Sequence, residues 1–186
     1  MEAGKTGTVR MQSNFVAANE DELHDSLDII VLESVMDTIK KFRLKDGCKI
    51  YFAGPWFTEK GKLLYDACKS IDCSVNAKVK IFYPRDQVNK TPKDAFKNNV
   101  KHIETCDIVV ALVSEKDVGT AWEIGMAYAL GKPVYLLGYD ETTFLSHTNV
   151  MLAFTGKCLT LKEYGKFLTN NNPKFVNIKN LWEGIE

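Results

Sequence analysis

The sequence has few of the residues that build metal centres or disulfide frameworks. Its 186 residues include five cysteines and three histidines, and the cysteine count is odd. No two cysteines stand in a CxxC pair, and His24, His102 and His147 lie far from one another along the chain. Metal sites and disulfide scaffolds require closer or paired spacing. We therefore expect reduced, buried thiols and no metal site.

Excess charge and long apolar runs are also missing. The 24 basic and 24 acidic side chains give a formal net charge of zero. This balance provides no electrostatic footprint for nucleic acid or for an anionic membrane. No apolar stretch approaches the length of a membrane span, and the first residues, MEAGKTGTVRMQSN, contain no apolar leader segment. The expectation is a cytoplasmic protein that binds a small neutral ligand.

Two glycine-rich phosphate-binding motifs are absent as well. The chain contains no P-loop, and the segment AGPWF supplies only Gly54 where a GxGxxG fingerprint would need three glycines. These absences argue against a nucleoside triphosphatase and against a dinucleotide-binding enzyme. We expect no cofactor.

The N-terminal quarter of the chain differs from the rest. Residues 1–18 are polar and small, which predicts disorder. Residues 19–47 are predicted to form an amphipathic helix that Asn19 caps and Gly47 closes. Its apolar stripe could pack on the domain's own sheet or on another subunit. The stripe comprises Leu23, Leu27, Ile30, Val31, Val35, Ile39 and Phe42.

Residues 48–186 have the pattern of one α/β domain. Short apolar runs alternate with longer amphipathic segments, which indicates βαβ units on a parallel sheet covered on both faces. The predicted strands are KIYFAG, VKIFYP, DIVVALV, PVYLLGY and KCLTL, and the predicted helices span about 59–76, 93–105 and 120–131. We predict a Rossmann-like, doubly wound, mostly parallel five-stranded sheet. Ligands of such sheets bind beyond the carboxyl ends of the strands, where the strand order reverses.

Aromatic residues follow the first predicted strand. Gly54 and Pro55 form a turn, and Trp56 and Phe57 come directly after it. The two aromatic side chains could be a stacking platform for a planar base, or they could pack the first helix onto the sheet.

The segment after the third strand, SEKDVGTAWEIG, has two competing interpretations. Thr120 and Glu123 have the spacing of a capping box, in which each side chain satisfies a free backbone N–H of the other residue. Alternatively, Glu123 is a nucleophile that the positive end of the helix keeps ionised. Asp117 would then be more than a turn residue, and Gly119 would permit close approach of a ligand.

A polar helix face precedes the third strand. Asn98 and Asn99 lie in AFKNNVKHIETCD and could hydrogen-bond a base, or they could lie on a solvated face. His102 in the same segment is expected to be packed or exposed rather than catalytic.

Taken together, IYFAGPWF, DVGTAWEIGMAYALGK and NVM resemble three motifs of the nucleoside 2-deoxyribosyltransferases, in the same order and at compatible spacing. The resemblance covers roughly residues 49–186. It implies a Rossmann-like enzyme that exchanges the base of a 2'-deoxynucleoside through a covalent deoxyribosyl-glutamate.

The resemblance assigns a role to each motif. Glu123 becomes the nucleophile, Tyr51 its hydrogen-bond partner, and Asp117 the carboxylate that holds the sugar hydroxyls. The family's base pocket maps onto the turn with Gly54, Trp56 and Phe57, while Asn149 and Met151 would reach a neighbouring subunit's site. The family resemblance therefore implies a homo-oligomer, built from dimers and up to a hexamer, with shared active sites.

One position departs from the family pattern. Where many members have an aspartate acting on the leaving base, this chain has Asn99, whose amide can hydrogen-bond a base but cannot donate a proton at a suitable pKa. Asp86 and Gln87 follow the second strand and are further candidates for contact with the edge of the base.

An N-glycosidase that hydrolyses 2'-deoxynucleosides or 5'-monophosphates would use the same residues, and a non-catalytic nucleoside sensor is a third hypothesis. The missing Ser/Arg phosphate loop after the first strand favours a nucleoside over a monophosphate.

Overall fold

A computed structural model describes residues 43–146 and 150–178 of the chain. Within these residues, five parallel strands and one short antiparallel strand form a single sheet in the order β2-β1-β3-β4-β5-β6. The strands are β1 (Cys48–Ala53), β2 (Val79–Phe82), β3 (Ile108–Leu112), β4 (Val134–Gly138), β5 (Lys157–Thr160) and β6 (Phe175–Val176).

Helices connect the parallel strands. They are α1 (Glu59–Val75), α2 (Pro92–Thr105), α3 (Val118–Ala129), α4 (Thr143–Ser146), α5 (Val150–Ala153) and α6 (Leu161–Leu168), with a 3₁₀ turn at Pro84–Asp86. Threonine residues cap the N-termini of the first two helices. Thr58 accepts a hydrogen bond from the backbone N–H of Gly61, and Thr91 accepts one from Asp94. These caps satisfy backbone donors that have no partner inside the helix.

The alternation of side chains along β1 creates two cores. Ile50 and Phe52 point to one face of the sheet, where α1 and α6 pack. Tyr51 and Ala53 point to the other face, where α2 and α3 pack. Successive strand side chains project to opposite faces, so a strand buried on both sides must be apolar throughout. The arrangement confirms the predicted doubly wound fold.

The strand order places the switch point at β1. The chain moves from β1 outward to β2, then returns past β1 to β3 on its other side. The carboxyl ends of β1 and β3 therefore border the crevice in which ligands of this architecture bind. The segments that follow these two strands carry most of the predicted site residues.

All five predicted strands are confirmed, and two details of the prediction are corrected. The sheet gains β6, whose two residues are too short to produce a recognisable alternation. The predicted helix at 19–47 does not include residues 43–47, which form an irregular segment and a turn. There the backbone of Leu44 exchanges two hydrogen bonds with the side-chain amide of Asn170. Residues 1–42, with the predicted disorder and the rest of that helix, lie outside the described residues.

The part of the chain that the structure describes contains no helix long and apolar enough to cross a membrane. In the same residues, no group of three or more His, Cys, Asp or Glu side chains is arranged to hold a metal ion.

Candidate active site

A buried tyrosine–glutamate pair lies at the switch point. The hydroxyl of Tyr51, on β1, donates a hydrogen bond to Oε1 of Glu123, on α3, over 2.5 Å. Tyr51 is fully buried, and Glu123 is 8% exposed. The two residues are far apart in sequence, and the packing of α3 on β1 and β3 brings them together. A carboxylate that is removed from water in this way is a candidate catalytic group.

The capping-box interpretation of Thr120 and Glu123 is wrong. The helix begins at Val118, and its cap is Asp117, whose Oδ2 accepts hydrogen bonds from the backbone N–H of Thr120 (2.6 Å) and from its hydroxyl (2.7 Å). Glu123 therefore lies in the second turn, beyond the free N–H groups that a capping residue would satisfy. Its side chain is available to Tyr51 because Asp117 does the capping.

Burial decides the protonation of Glu123. Removal from water raises the pKa of this carboxyl from 4.5 to about 7, the hydrogen bond from Tyr51 lowers it, and the nearby charge of Asp117 raises it. The net change is therefore opposite to the stabilised ionised form expected from the sequence, because burial is the largest influence on this pKa. Burial, followed by the charge of Glu123, raises the pKa of Tyr51 far above its usual value. The tyrosine hence remains a hydrogen-bond donor at every accessible pH.

Asp117 has one carboxylate oxygen available for a ligand. Its Oδ2 is committed to Thr120, whereas Oδ1 receives no hydrogen bond from the described residues. Gly119 follows closely, and a Cβ placed there would lie 3.2 Å from Oδ2. A side chain at Gly119 would crowd the carboxylate, so the glycine keeps space next to Asp117.

Asn99 presents an unsatisfied acceptor. It lies on α2 one turn before Ile103, which packs in the same core as Tyr51. Its Oδ1 is buried and has no hydrogen-bond partner among the described residues. A buried amide oxygen without a partner is costly, because it loses its bonds to water. A ligand donor at this position would satisfy it.

An aromatic stack supports the buried tyrosine. Phe82, the residue paired with Tyr51 across β1 and β2, stacks on its ring at 5.6 Å. The His102 ring also stacks on Phe82, with ring centroids 3.5 Å apart, and its Nδ1 lies 2.8 Å from the carbonyl oxygen of Asn98. His102 is thus a packed residue.

The two aromatic residues after β1 have different environments. Trp56 packs edge-on against Tyr65 of α1, which matches the interpretation that it packs the helix onto the sheet. Phe57 is 73% exposed and lines a cavity of about 380 Å³. Gly54 is buried, and a Cβ there would lie 3.2 Å from Cβ of Leu112 on β3. The glycine therefore allows the turn to pass close to β3.

The remaining predicted residues lie elsewhere. Asp86 forms an ion pair with Lys69 (2.6 Å), and the Gln87 side chain donates to the carbonyl of Tyr83. Neither contact joins the tyrosine–glutamate pair. Met151, on α5, is 78% exposed. Asn149 lies outside the described residues.

Sequence reasoning missed the link between the two loops of the crevice. The hydroxyl of Thr58, at the start of α1, donates to the carboxylate of Glu115, which follows β3. Two features of the sequence could have identified this hydrogen bond. Thr58 precedes a helix as a cap, and Glu115 follows a strand that ends at the same edge of the sheet.

Comparison with protein families gives one match. Residues 50–178 match the family model described as nucleoside 2-deoxyribosyltransferase, which is more than half of the chain. A search of curated proteins gives no match.

Similar solved structures come from several organisms. A 2-deoxyribosyltransferase from the psychrotolerant bacterium Bacillus psychrosaccharolyticus is 26% identical, with a TM-score of 0.52 over 64% of this chain and 89% of that one. A deoxyribosyltransferase from Leishmania mexicana is 28% identical, with a TM-score of 0.41 over 50% of this chain and 65% of that one. A CMP N-glycosidase from Clostridium botulinum is 19% identical, with a TM-score of 0.46 over 63% of this chain and 94% of that one.

Proposed function

Because the chain belongs to the nucleoside 2-deoxyribosyltransferase family, we propose that it transfers 2-deoxyribose between purine or pyrimidine bases through a covalent deoxyribosyl-glutamate, with retention of configuration. The observation that carries this proposal is the buried hydrogen bond between Tyr51 and Glu123 at the carboxyl ends of β1 and β3. A non-catalytic nucleoside sensor would have no need of an ionisable carboxyl in that position, where burial makes it costly.

The proposed reaction consists of two displacements at one carbon. Ionised Glu123 attacks C1' of the nucleoside, so a C1'–O bond forms while the C1'–N bond breaks and its electron pair leaves with the base. The departing base takes up a proton from water. A second base then attacks C1' and loses its proton, the C1'–O bond breaks, and Glu123 is released as a carboxylate. Two inversions at one centre give net retention.

Tyr51 and Asp117 support the nucleophile in different ways. The Tyr51 hydroxyl fixes one carboxylate oxygen of Glu123 and leaves the other to face the sugar. Asp117 uses its open Oδ1 to accept a hydrogen bond from a sugar hydroxyl, while Oδ2 remains bound to Thr120. The absence of a 2'-hydroxyl makes the oxocarbenium-like transition state easier to reach, which is a chemical reason for a deoxy substrate.

The base is assigned to the crevice beside α2. The buried Oδ1 of Asn99 would accept from an N–H of the base, which supports a role in binding rather than in proton transfer. Phe57 and the turn at Gly54 would border the same crevice, and Trp56 would support them from behind. Asp86 and Gln87 would have to leave their present partners to reach a base, so their assignment rests only on their position after β2.

A homo-oligomer with shared sites is the proposed assembly. Exposed apolar side chains on neighbouring elements support it: Trp122 on α3, and Met151 and Phe154 on and after α5. An exposed apolar patch of this kind marks an interaction surface. Asn149 and Met151 would then contribute to the partner's sugar site. Sedimentation velocity of the full chain would show a single monomeric species if this proposal is wrong.

A base-exchange assay tests the function. The protein is incubated with a 2'-deoxynucleoside and a different free base, and the new nucleoside is quantified by chromatography while the covalent sugar adduct is sought by intact mass. We expect exchange, and an adduct when no acceptor base is added. Release of free deoxyribose at the same rate with and without the acceptor would favour the hydrolase instead, because water would then outcompete the base for the intermediate.

The variant Asn99→Ala should weaken apparent binding of the acceptor base while the adduct still forms.

Replacing Tyr51 with phenylalanine should move the pH dependence of exchange. The Tyr51 hydrogen bond lowers the pKa of Glu123, which burial has raised to about 7. Since the nucleophile must be ionised, activity rises with pH through that value. Without the hydroxyl the pKa of Glu123 rises further, and we expect the rising limb of kcat/KM to shift to higher pH, with roughly tenfold loss at pH 7.

Two variants serve as comparisons for this shift. Asp117→Asn removes the like charge that raises the pKa of Glu123. The rising limb of kcat/KM in this variant should therefore move to lower pH, even if the variant reacts more slowly. Tyr128→Phe removes a hydroxyl from an exposed tyrosine of the same helix and should leave the limb in place. An unchanged limb in Tyr51→Phe would contradict the assignment of Glu123 as the titrating nucleophile.

A further inference from the structure

A carboxylate of the protein, that of Glu115, is hydrogen-bonded to the residue that caps α1. The backbone N–H of Gly61 donates to Oγ1 of Thr58 over 3.0 Å. The Thr58 hydroxyl in turn donates to Glu115, with both carboxylate oxygens 2.7 Å from Oγ1. Helix N-termini attract anions through their free N–H groups and the aligned peptide dipoles. Glu115 therefore lies beside the first turn of α1 and is bound to its cap through the Thr58 hydroxyl.

The packing around this contact is close. A Cβ at Gly61 would lie 2.9 Å from the carbonyl oxygen of Pro55 and 3.1 Å from Oε2 of Glu115. Only a residue without a side chain lets the first turn of α1 approach both the turn after β1 and the carboxylate. Glu115 is thus held between the two loops rather than extended into solvent.

The cavity of about 380 Å³ runs along this contact to the proposed sugar site. Its lining includes Thr58, Ser114, Glu115 and Asp117. Ser114 is 2% exposed, and its hydroxyl has no hydrogen-bond partner among the described residues. Because Asp117 lines the same cavity, a sugar held by Asp117 would have a substituent within this space, near Ser114 and Glu115.

The charges around the cavity are balanced as they stand. Two exposed lysines, Lys60 and Lys116, line it together with the carboxylates of Glu115 and Asp117. A neutral hydroxyl finds hydrogen-bond acceptors here. A phosphate dianion meets the two carboxylates together with the two lysines, so repulsion between like charges offsets the attraction of the lysines.

From this geometry we infer that Glu115 is a specificity residue that makes the site select 2'-deoxynucleosides over their 5'-monophosphates. The inference rests on the proposed function, since it places the sugar at Asp117. Without the Glu115 charge, the same cavity would present a helix N-terminus and two lysines against one carboxylate, which is an environment that accepts phosphate.

Equilibrium binding to intact ligands tests the role of Glu115. The full chain carrying Glu123→Gln, so that ligand is not consumed, is titrated by calorimetry with a 2'-deoxynucleoside and with its 5'-monophosphate. We expect the nucleoside to bind at least tenfold more tightly. Adding Glu115→Gln should reduce the ratio of the two Kd values at least tenfold, mainly by improving monophosphate binding. A ratio that changes less than twofold would overturn the inference.

Two control variants separate charge from structure. Glu104→Gln changes the net charge equally at an exposed position on α2 and should leave the ratio unaltered. Thr58→Ala removes the cap but keeps the Glu115 charge, so it should lower the melting temperature and preserve discrimination. Loss of discrimination in Glu104→Gln would also overturn the inference.

Activity of the wild-type chain distinguishes this inference from the proposed function. If the nucleoside binds with the expected preference but is neither exchanged nor hydrolysed, the proposed function fails and the role of Glu115 stands. If exchange occurs and the Kd ratio does not respond to Glu115→Gln, the role of Glu115 fails alone. Absence of any nucleoside binding would overturn both.

Discussion

Replacing Glu123 with glutamine should abolish base exchange and at the same time stabilise the protein at pH 8. An amide cannot serve as the nucleophile at C1', so we expect a loss on the order of 10³-fold or more in kcat. The same change removes a buried charge, while the amide oxygen can still accept the hydrogen bond from Tyr51. Activity and stability are therefore expected to move in opposite directions.

The stability gain should depend on pH because the pKa of Glu123 is raised. The carboxyl titrates near 4.5 when unfolded and at about 7 in the folded protein. Ionisation therefore favours the unfolded state, and the penalty grows as pH rises from 4.5 to 7 and is complete above 7. A shift of this size corresponds to about 3 kcal/mol. Glu123→Gln should recover much of it at pH 8 and little at pH 5.

Urea unfolding of both proteins at pH 5 and pH 8, together with the exchange assay, checks this expectation. Glu104→Gln, a change at an exposed carboxylate of α2, is a control for general loss of negative charge. Retention of more than a tenth of the wild-type rate in Glu123→Gln would refute the nucleophile assignment. Equal stability of the two proteins at pH 8 would instead refute the burial penalty.

Gly156→Ala should be the most destabilising small substitution in the sheet. Gly156 immediately precedes β5, and a Cβ there would lie 2.2 Å from the carbonyl oxygen of Val134, on the neighbouring strand β4. The obstacle is backbone, so no side-chain rotation can relieve the overlap. Strands β4 and β5 must move apart locally. We expect this to lower the free energy of unfolding by about 3 kcal/mol and the melting temperature by roughly 6–12 °C.

Gly125→Ala provides a matched control on an exposed helix position. A Cβ at Gly125, within α3, meets nothing within 4 Å. Alanine is preferred over glycine in a helix, so this variant should gain about 0.5–1 kcal/mol. Thermal unfolding of both variants gives the comparison. A change of 1 kcal/mol in the free energy of unfolding corresponds to about 2–4 °C in melting temperature for a chain of this size. A melting temperature of Gly156→Ala within 2 °C of wild type would therefore contradict the close β4–β5 contact.

Much of the fold could be predicted because its determinants are local. The apolar runs at Lys49, Val79, Asp107, Pro133 and Lys157 each correspond to an observed strand. Both faces of those strands are covered, so continuous hydrophobicity is a strong signal. β6 escaped prediction because two residues cannot display a period. Membership in the family followed from three short motifs, and the family model supports it over residues 50–178.

The site was only partly accessible from the sequence. The capping-box spacing predicted Thr120 as the cap of α3, although aspartate is an equally good capping residue. The structure selects Asp117, and this choice determines that Glu123 faces Tyr51 rather than its own helix end. The pKa of Glu123 was likewise unpredictable, since burial depends on how α3 packs on the sheet.

The sequence by itself determined the strands, the main helices and the presence of two carboxylates, Asp117 and Glu123, in the segment after β3, because periodicity and composition act over a few residues. Tertiary structure alone decided which distant groups meet. Tyr51 reaches Glu123 across 72 positions, and Thr58 reaches Glu115 across 57. Both contacts exist because the strand order places β1 next to β3. That order arises from packing the whole chain around two cores, which no local pattern encodes.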